Sequence, residues 1–393
     1  MELSTARQRL RDRLEDESVT DAKLDTYLND ASQELGRSFD WPWLLREFQL
    51  PLRTSETLDD ATLTQDSRVV TLSTAADSTP FGHTLLIDGR VLRCTNVESS
   101  ATKIHIEYPW PDASGTHDIT VLCDELALPR GVRKIRQVLL YDGSASPVEI
   151  CYEQGGDLRF NDISSTGRPI LFGFYRRDRL PAPVTGPSAV DSGAGSGPDG
   201  VHLYWQTYWD PKTGGESRLS PSDGVTVSDN TVNITPDTRQ DLGVRHYRSK
   251  AGGSTPHFLG EQTSPTAVFN DSFADEYLGA PTTLEGAQPY LRFWPPPDKV
   301  YQVGVRAVVL PPELQDDTDP LPVPEEDVPT LLLGAESIAL RAVKEWAAAS
   351  DTRAQFLRAI ADMRGRHAVN RTGPIQLGKR SPRRRPIVLT TAS

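Results

Sequence analysis

Cysteine is scarce in this sequence. Cys94, Cys123 and Cys151 are the only three in 393 residues. They are odd in number, far apart and in strand-like contexts, which excludes a disulfide framework and any paired metal-ligand spacing. Three reduced, partly buried thiols are expected. Long apolar runs are missing too: no stretch of about twenty apolar residues occurs, so no helix is expected to cross a bilayer. The opening Met1-Glu-Leu-Ser-Thr-Ala-Arg7 lacks an apolar h-region, so the chain is expected without a cleaved secretory signal and made and used from the cytoplasm. A Gly-x-Ser-x-Gly elbow, a Walker loop and a His-Glu-x-x-His helix are all absent. The seven histidines, His83, His105, His117, His202, His246, His257 and His367, lie on unrelated elements with no His or Cys three to five residues away. A zinc site would need long-range coincidence. Neither catalytic residues, nor a cofactor, nor a metal is expected. Basic charge is also short: the net charge of -12 argues against nucleic-acid binding through the body of the protein.

What is present is organised around Gln288 to Asp319. Leu291 and Phe293, then Tyr301, Val303, Val305, Ala307 and Val309, alternate with the period of a half-buried strand. The triple proline Pro295-Pro-Pro297 cannot donate ladder hydrogen bonds, so the spacing predicts a hairpin with the prolines as its connection. The chain then descends through Asp316 to Pro324 into a helix carrying Leu331, Leu332, Ala335, Ile338, Ala339, Ala342, Val343 and Trp346. A second helix is expected after Ser350 and Asp351, with Phe356, Leu357, Ile360, Ala361 and Met363 inward. Near the start, Leu24, Tyr27, Leu28, Ala31 and Leu35 form another helical stripe, closed by Phe39-Asp-Trp-Pro-Trp-Leu44. The expected packing anchors are Leu24, Leu28, Leu35, Trp41, Trp43, Phe293, Trp294, Trp346 and Phe356.

Between these segments the character is β. Residues 58 to 124 read as a small all-β unit with a tight turn at Asp88-Gly89. Leu128 to Leu140 alternates apolar and basic residues, and Ile170 to Tyr175 gives a further strand. Pro181 to Pro187 and Gly193 to Gly200 have linker composition. From Val201 to about Leu284, several short strands indicate a sandwich. In Val201-His-Leu-Tyr-Trp-Gln-Thr-Tyr-Trp209, Trp205 and Trp209 share one face. That face is a candidate exposed aromatic platform for sugars, against the plainer reading of a second packed surface. Asp316-Asp-Thr-Asp319 and Glu325-Glu-Asp327 could hold calcium, but a solvated turn and a complement to the helix dipole explain them better. The spatial pair of carboxylates needed for glycoside hydrolysis is not readable from spacing.

Arg371 to Ser393 is broken by three prolines and cannot be a stable helix. It concentrates Lys379, Arg380, Arg383, Arg384 and Arg385 with no acid, and ends in Ile387-Val-Leu-Thr390. Setting those five charges aside takes the rest of the chain from -12 to -17. A basic arm on an acidic body is expected to have its own partner, DNA phosphates or an acidic groove of another protein.

In this order the segments resemble the head-to-tail adaptors of tailed bacteriophages, also called connectors or head-completion proteins. The likeness is carried by Val19 to Leu35 followed by Phe39 to Leu44, by Leu291-Arg-Phe-Trp-Pro-Pro-Pro-Asp-Lys-Val-Tyr301, by Leu310-Pro-Pro-Glu-Leu314, by Pro320-Leu-Pro-Val-Pro-Glu325, and by the closing helices. It covers about half of the chain. Gly215 to Pro221, Tyr247 to Gly253 and Phe269 to Gly279 resemble a fibronectin type III module. The resemblance implies an α+β fold. Residues 1–57, 125–185 and 285–370 would form a helical adaptor core with a small antiparallel sheet, 58–124 and 186–284 two all-β insertions, and 371–393 an extended arm. It implies a ring, usually of twelve copies, beneath the portal at the virion neck, assembled in the host cytoplasm and binding no membrane. The acidic lumen would pass genomic DNA without specific binding, and a tail, nozzle or collar protein would be a further partner. Lys379, Arg380, Arg383, Arg384, Arg385, Ile387 and Leu389 would dock the arm on the portal. A glycan-binding virion protein and, third, a hydrolase on a β scaffold are the alternatives from other classes.

Overall fold

The structure is a computed structural model, which describes residues 1–73, 80–98, 102–143, 146–153, 166–237, 239, 242–263, 267–278, 282 and 286–369. The chain divides into two compact units, Met1–Gln8 with Trp43–Pro322, and Arg9–Pro42 with Val323–Ser393. Strand accounts for 39% of the described residues and helix for 23%. This overturns the expectation of a helical adaptor core with a small sheet. The sheets are the framework of the larger unit, and four α-helices are all that the described residues contain. The reason lies in the alternating segments of 125–177 and 288–309, which with Leu45–Leu52 build two four-stranded sheets where one small sheet was expected.

The first sheet orders Leu45–Leu52, Tyr301–Val309, Val132–Tyr141 and Val148–Glu149. The second orders Cys151–Tyr152, Leu171–Arg177, Gln288–Trp294 and Glu125–Ala127. The strands flanking the triple proline therefore do not form a hairpin. Gln288–Trp294 pairs with Leu171–Arg177 and Glu125–Ala127, while Tyr301–Val309 pairs with Leu45–Leu52 and Val132–Tyr141. The prolines carry the chain from one sheet to the other. Val138, Leu140, Val303 and Val305 of the first sheet share one buried core with Leu126, Phe172, Leu291 and Phe293 of the second.

Six strands between Glu56 and Leu122 close into a barrel around Leu63, Leu85, Ile87, Cys94, Ile104, Trp110 and Val121. Its tight turn is Asp88-Gly89, both at positive φ (47° and 77°), which links the paired strands Thr84–Ile87 and Arg90–Val97. A three-stranded sheet (Ser188–Asp191, Val232–Thr235, Phe269–Asp271) and a four-stranded one (Asp223–Ser228, Asp199–Trp209, Gly243–Arg248, His257–Gln262) enclose Tyr204, Val227, Val232 and Ile234. Arg248 and Asp271, both fully buried, pair at 2.5 Å across these sheets, and the Tyr204 hydroxyl donates to the same carboxylate at 2.9 Å.

The helices are α1 (Leu3–Leu14), α2 (Asp21–Ser38), α3 (Val328–Ala342) and α4 (Trp346–Val369). The smaller unit holds all of them except the first turns of α1. In that unit α2 buries Leu24, Leu28, Ala31 and Leu35. Trp41 is buried and its Nε1 donates to the Leu35 carbonyl at 2.7 Å, which satisfies an acceptor that the helix end leaves open. Gly334 of α3 lets three helices meet, since a Cβ there would lie 2.9 Å from the Phe356 ring and 3.1 Å from Ala31 Cβ. Between α3 and α4 the chain turns at Lys344, which holds φ at 66°.

Candidate functional site: a buried charge junction

A cluster of buried ionisable side chains lies inside the larger unit, where the barrel, the second sheet and the strand Asp199–Trp209 converge. Asp210 ends that strand and begins the turn Asp210-Pro-Lys-Thr-Gly214, in which Oδ1 accepts from Lys212 N (2.9 Å) and Oδ2 from Thr213 Oγ1 (2.7 Å). An aspartate that folds its own following backbone is typical turn chemistry. The same Oδ2 accepts from His83 Nε2 at 3.0 Å and lies 3.5 Å from Arg179. His83 Nδ1 faces the Leu122 carbonyl at 3.1 Å. Arg179 also reaches Glu125 at 3.6 Å and the Phe81 carbonyl at 2.8 Å. Arg177 pairs with Glu125, Lys212 with Glu56, and Arg292 with Asp124 at 2.7 Å.

Burial alone would raise the pKa of Asp210, but His83, Arg179 and the Thr213 hydroxyl outweigh it and hold the carboxyl well below the usual range. Burial, helped by Asp124, pushes Glu125 up despite Arg179. Burial and the Arg179 charge lower His83, against two acceptors that favour protonating both ring nitrogens. Burial pushes the Cys123 thiol up to about 12, the opposite of an activated nucleophile. What this arrangement does is lock modules: each charge is held by its opposite, and the partners come from distant parts of the chain.

The tryptophan face does not form an open platform. Trp209 is only 7% exposed and Arg245 covers its ring at 4.7 Å, while Trp205 is half-buried. Arg245 also bonds Glu216 at 3.1 Å, and that carboxylate accepts from Thr207 (2.5 Å) and the Tyr247 hydroxyl. The side chains flanking the strand thus pack against a polar network instead of solvent.

Among the remaining expected residues, Leu24, Leu28, Leu35, Trp41, Phe293 and Phe356 are buried, and Trp43 and Trp294 are half-buried. Trp346 is 64% exposed and is not a packing anchor, because α3 ends at Ala342 and the turn at Lys344 resets the helical phase. Leu357 and Ala361 likewise face outward on α4. Cys94 and Cys123 are buried and Cys151 is exposed. Lys379, Arg380, Arg383, Arg384, Arg385, Ile387 and Leu389 lie outside the described residues. Glu326, Asp327 and His367 bring ligand-type atoms within 4.8 Å of one another. Asp327 is fully buried and accepts from Arg366 at 2.7 Å and His367 at 3.1 Å, so a guanidinium already stands where a cation would. The cluster works as a clamp between the start of α3 and the end of α4.

Sequence reading missed the junction because its members are single residues on separate elements. The one local signal was the Asp210-Pro-Lys-Thr turn.

Residues 214–378 match the family model described as SU10 adaptor protein. The match supports a phage adaptor-type structural protein, a component of the virion. It runs from the end of the junction turn through Gln288–Trp294 and Tyr301–Val309, one central strand of each sheet, to α3 and α4, and excludes α1, α2 and the Trp41-Pro-Trp43 segment. No curated protein matches the chain. Among the described residues no helix is long and apolar enough to cross a membrane.

Proposed function

We propose that this chain is a head-to-tail adaptor of a tailed phage, forming a ring, of twelve copies by family analogy, beneath the portal. In that position it joins the capsid to the tail and continues the DNA channel, whose acidic wall repels passing DNA. The observation that carries this reading is the adaptor-family match, which takes in α3, α4 and the start of the following arm. Arg371 to Ser393 would dock on the portal through Lys379, Arg380, Arg383, Arg384 and Arg385, with Ile387 and Leu389 as apolar anchors. The barrel and the sandwich, whose three-plus-four strands support a fibronectin type III-like module, would face a collar, nozzle or tail protein. Head-to-tail contacts of one surface with another close into rings when the rotation fits. Charge junctions that fix the modules suit a part that bears load between capsid and tail.

The test is to mix the purified protein with detached portals and image the product by negative stain. Rings appearing on portals support the reading. Portals that remain bare refute it. The glycan-binding alternative has lost its motivating feature, since Trp209 is packed.

A further inference from the structure

α4 buries one stripe, with Ala349, Thr352, Phe356, Ile360 and Met363 nearly closed to solvent. At about 100° per residue, an adjoining solvent-facing side presents Ala347, Ser350, Ala354, Leu357 and Ala361, all exposed, with Trp346 beside them. Leu357 is 52% and Trp346 64% exposed, which leaves two large apolar groups on one helix face. The intervals of three and four residues are those of a helix-pairing seam, with alanine at every seventh position, 347, 354 and 361. Alanine there allows two helix axes to approach to the short end of the packing range, about 8 Å.

The charges flanking the seam indicate what covers it. Asp351 and Arg358 sit on the same edge, seven residues apart, and both are exposed, with Asp351 accepting from its neighbour Gln355 at 3.1 Å. Two copies of α4 running antiparallel, with Ala354 against the second copy's Leu357 and Ser350 against its Ala361, set Asp351 beside the second copy's Arg358. The two-fold axis then repeats that pair with the roles exchanged. A parallel pairing would instead bring Arg353, already bonded to Glu34, towards a second Arg358. Asp351 and Arg358 together carry no net charge, so neither a polycation such as the 371–393 arm nor a polyanion gains on this edge. A second copy does.

We propose that in free solution the chain pairs through an antiparallel α4–α4 contact with a second copy of itself. An isologous pair closes on itself, so this is a form of the unassembled protein and does not depend on the adaptor reading. The seam from Trp346 to Ala361 is about 22 Å long at 1.5 Å per residue, a small interface of the size that weak, transient association uses.

The experiment is sedimentation equilibrium of the full chain from about 1 to about 200 µM, a range chosen for an interface of that size. It is run with Asp351→Arg, Arg358→Asp and the double reversal, and folding is checked by circular dichroism. The wild type should move from 43.3 kDa towards twice that mass. Each single reversal should weaken pairing at least tenfold, and the double reversal should restore it. A monomer throughout, or a dimer indifferent to the single reversals, overturns the proposal. So does a monomer whose residues 346–361 are protected from hydrogen exchange only when 371–393 are present, because the arm is then the occupant.

Discussion

His83 and Asp210 meet at 3.0 Å across 127 residues of chain, both buried, and their contact fastens the barrel to the end of the strand Asp199–Trp209. Replacing Asp210 by alanine leaves His83, Arg179 and the Thr213 hydroxyl facing an uncompensated site. Breaking a buried pair from one side costs about 3–5 kcal/mol. Urea unfolding of Asp210→Ala should show a loss of that size, and a loss below about 1 kcal/mol would mean the junction behaves like a surface pair.

The junction also makes stability depend on pH. The folded pKa values of His83 and Asp210 are both depressed, so the unfolded chain binds more protons than the folded one and stability rises with pH. The His83 contribution is complete above its ordinary 6.5 and is lost as pH falls through its lowered folded value. The Asp210 contribution is complete above 3.8 and disappears only in stronger acid. Glu125 runs the other way, since its raised value makes folding less favourable as pH climbs above 4.5. The His83 part is therefore isolated by difference: below about pH 6.5 the melting temperature of wild type should fall more steeply than that of His83→Gln. Parallel curves would contradict the assignment.

Trp209 packs under Arg245 while Trp205 is half-buried. Trp209→Ala should cost about 3–5 kcal/mol in denaturant unfolding, Trp205→Ala less, and neither should alter binding on a glycan array. Unchanged stability with a lost glycan signal would restore the platform reading.

At Gly334 of α3 a Cβ would meet both the Phe356 ring of α4, at 2.9 Å, and Ala31 of α2, at 3.1 Å. Gly334→Leu forces a branched side chain against Phe356 and Ala31, and overpacking of this kind costs about 1–3 kcal/mol. Hydrogen exchange should show faster opening in α3 and α4. An unchanged exchange pattern would mean that the helices give way freely.

How much could be read beforehand varied with the range of the interactions. The α2 stripe Leu24, Leu28, Ala31 and Leu35 was legible because helical packing repeats within a few residues. Asp88-Gly89 was legible because positive φ at two adjacent residues leaves few choices of side chain. Strand partners were not legible. The alternation at Leu291 to Val309 fixes which side chains face inward, but not that the triple proline carries the chain between two sheets. Trp346 misled because a helical period continues on paper through Val343 to Glu345, where Lys344 in the left-handed region breaks it without a glycine or proline to mark the spot. The junction was invisible for the same reason as the strand pairing: His83, Glu125, Arg179 and Asp210 become neighbours only after the sheets have formed.

The central claim is that this chain completes a portal vertex and does so through its basic arm. The most direct measurement is the mass and shape of full-length protein and of a form ending at residue 370, each alone and with detached portals, by light scattering and negative-stain imaging. The account predicts rings on portals for the full chain and bare portals for the shortened one. Full-length protein that ignores portals would contradict the adaptor reading, and a shortened chain that still forms rings on them would contradict the role given to the arm.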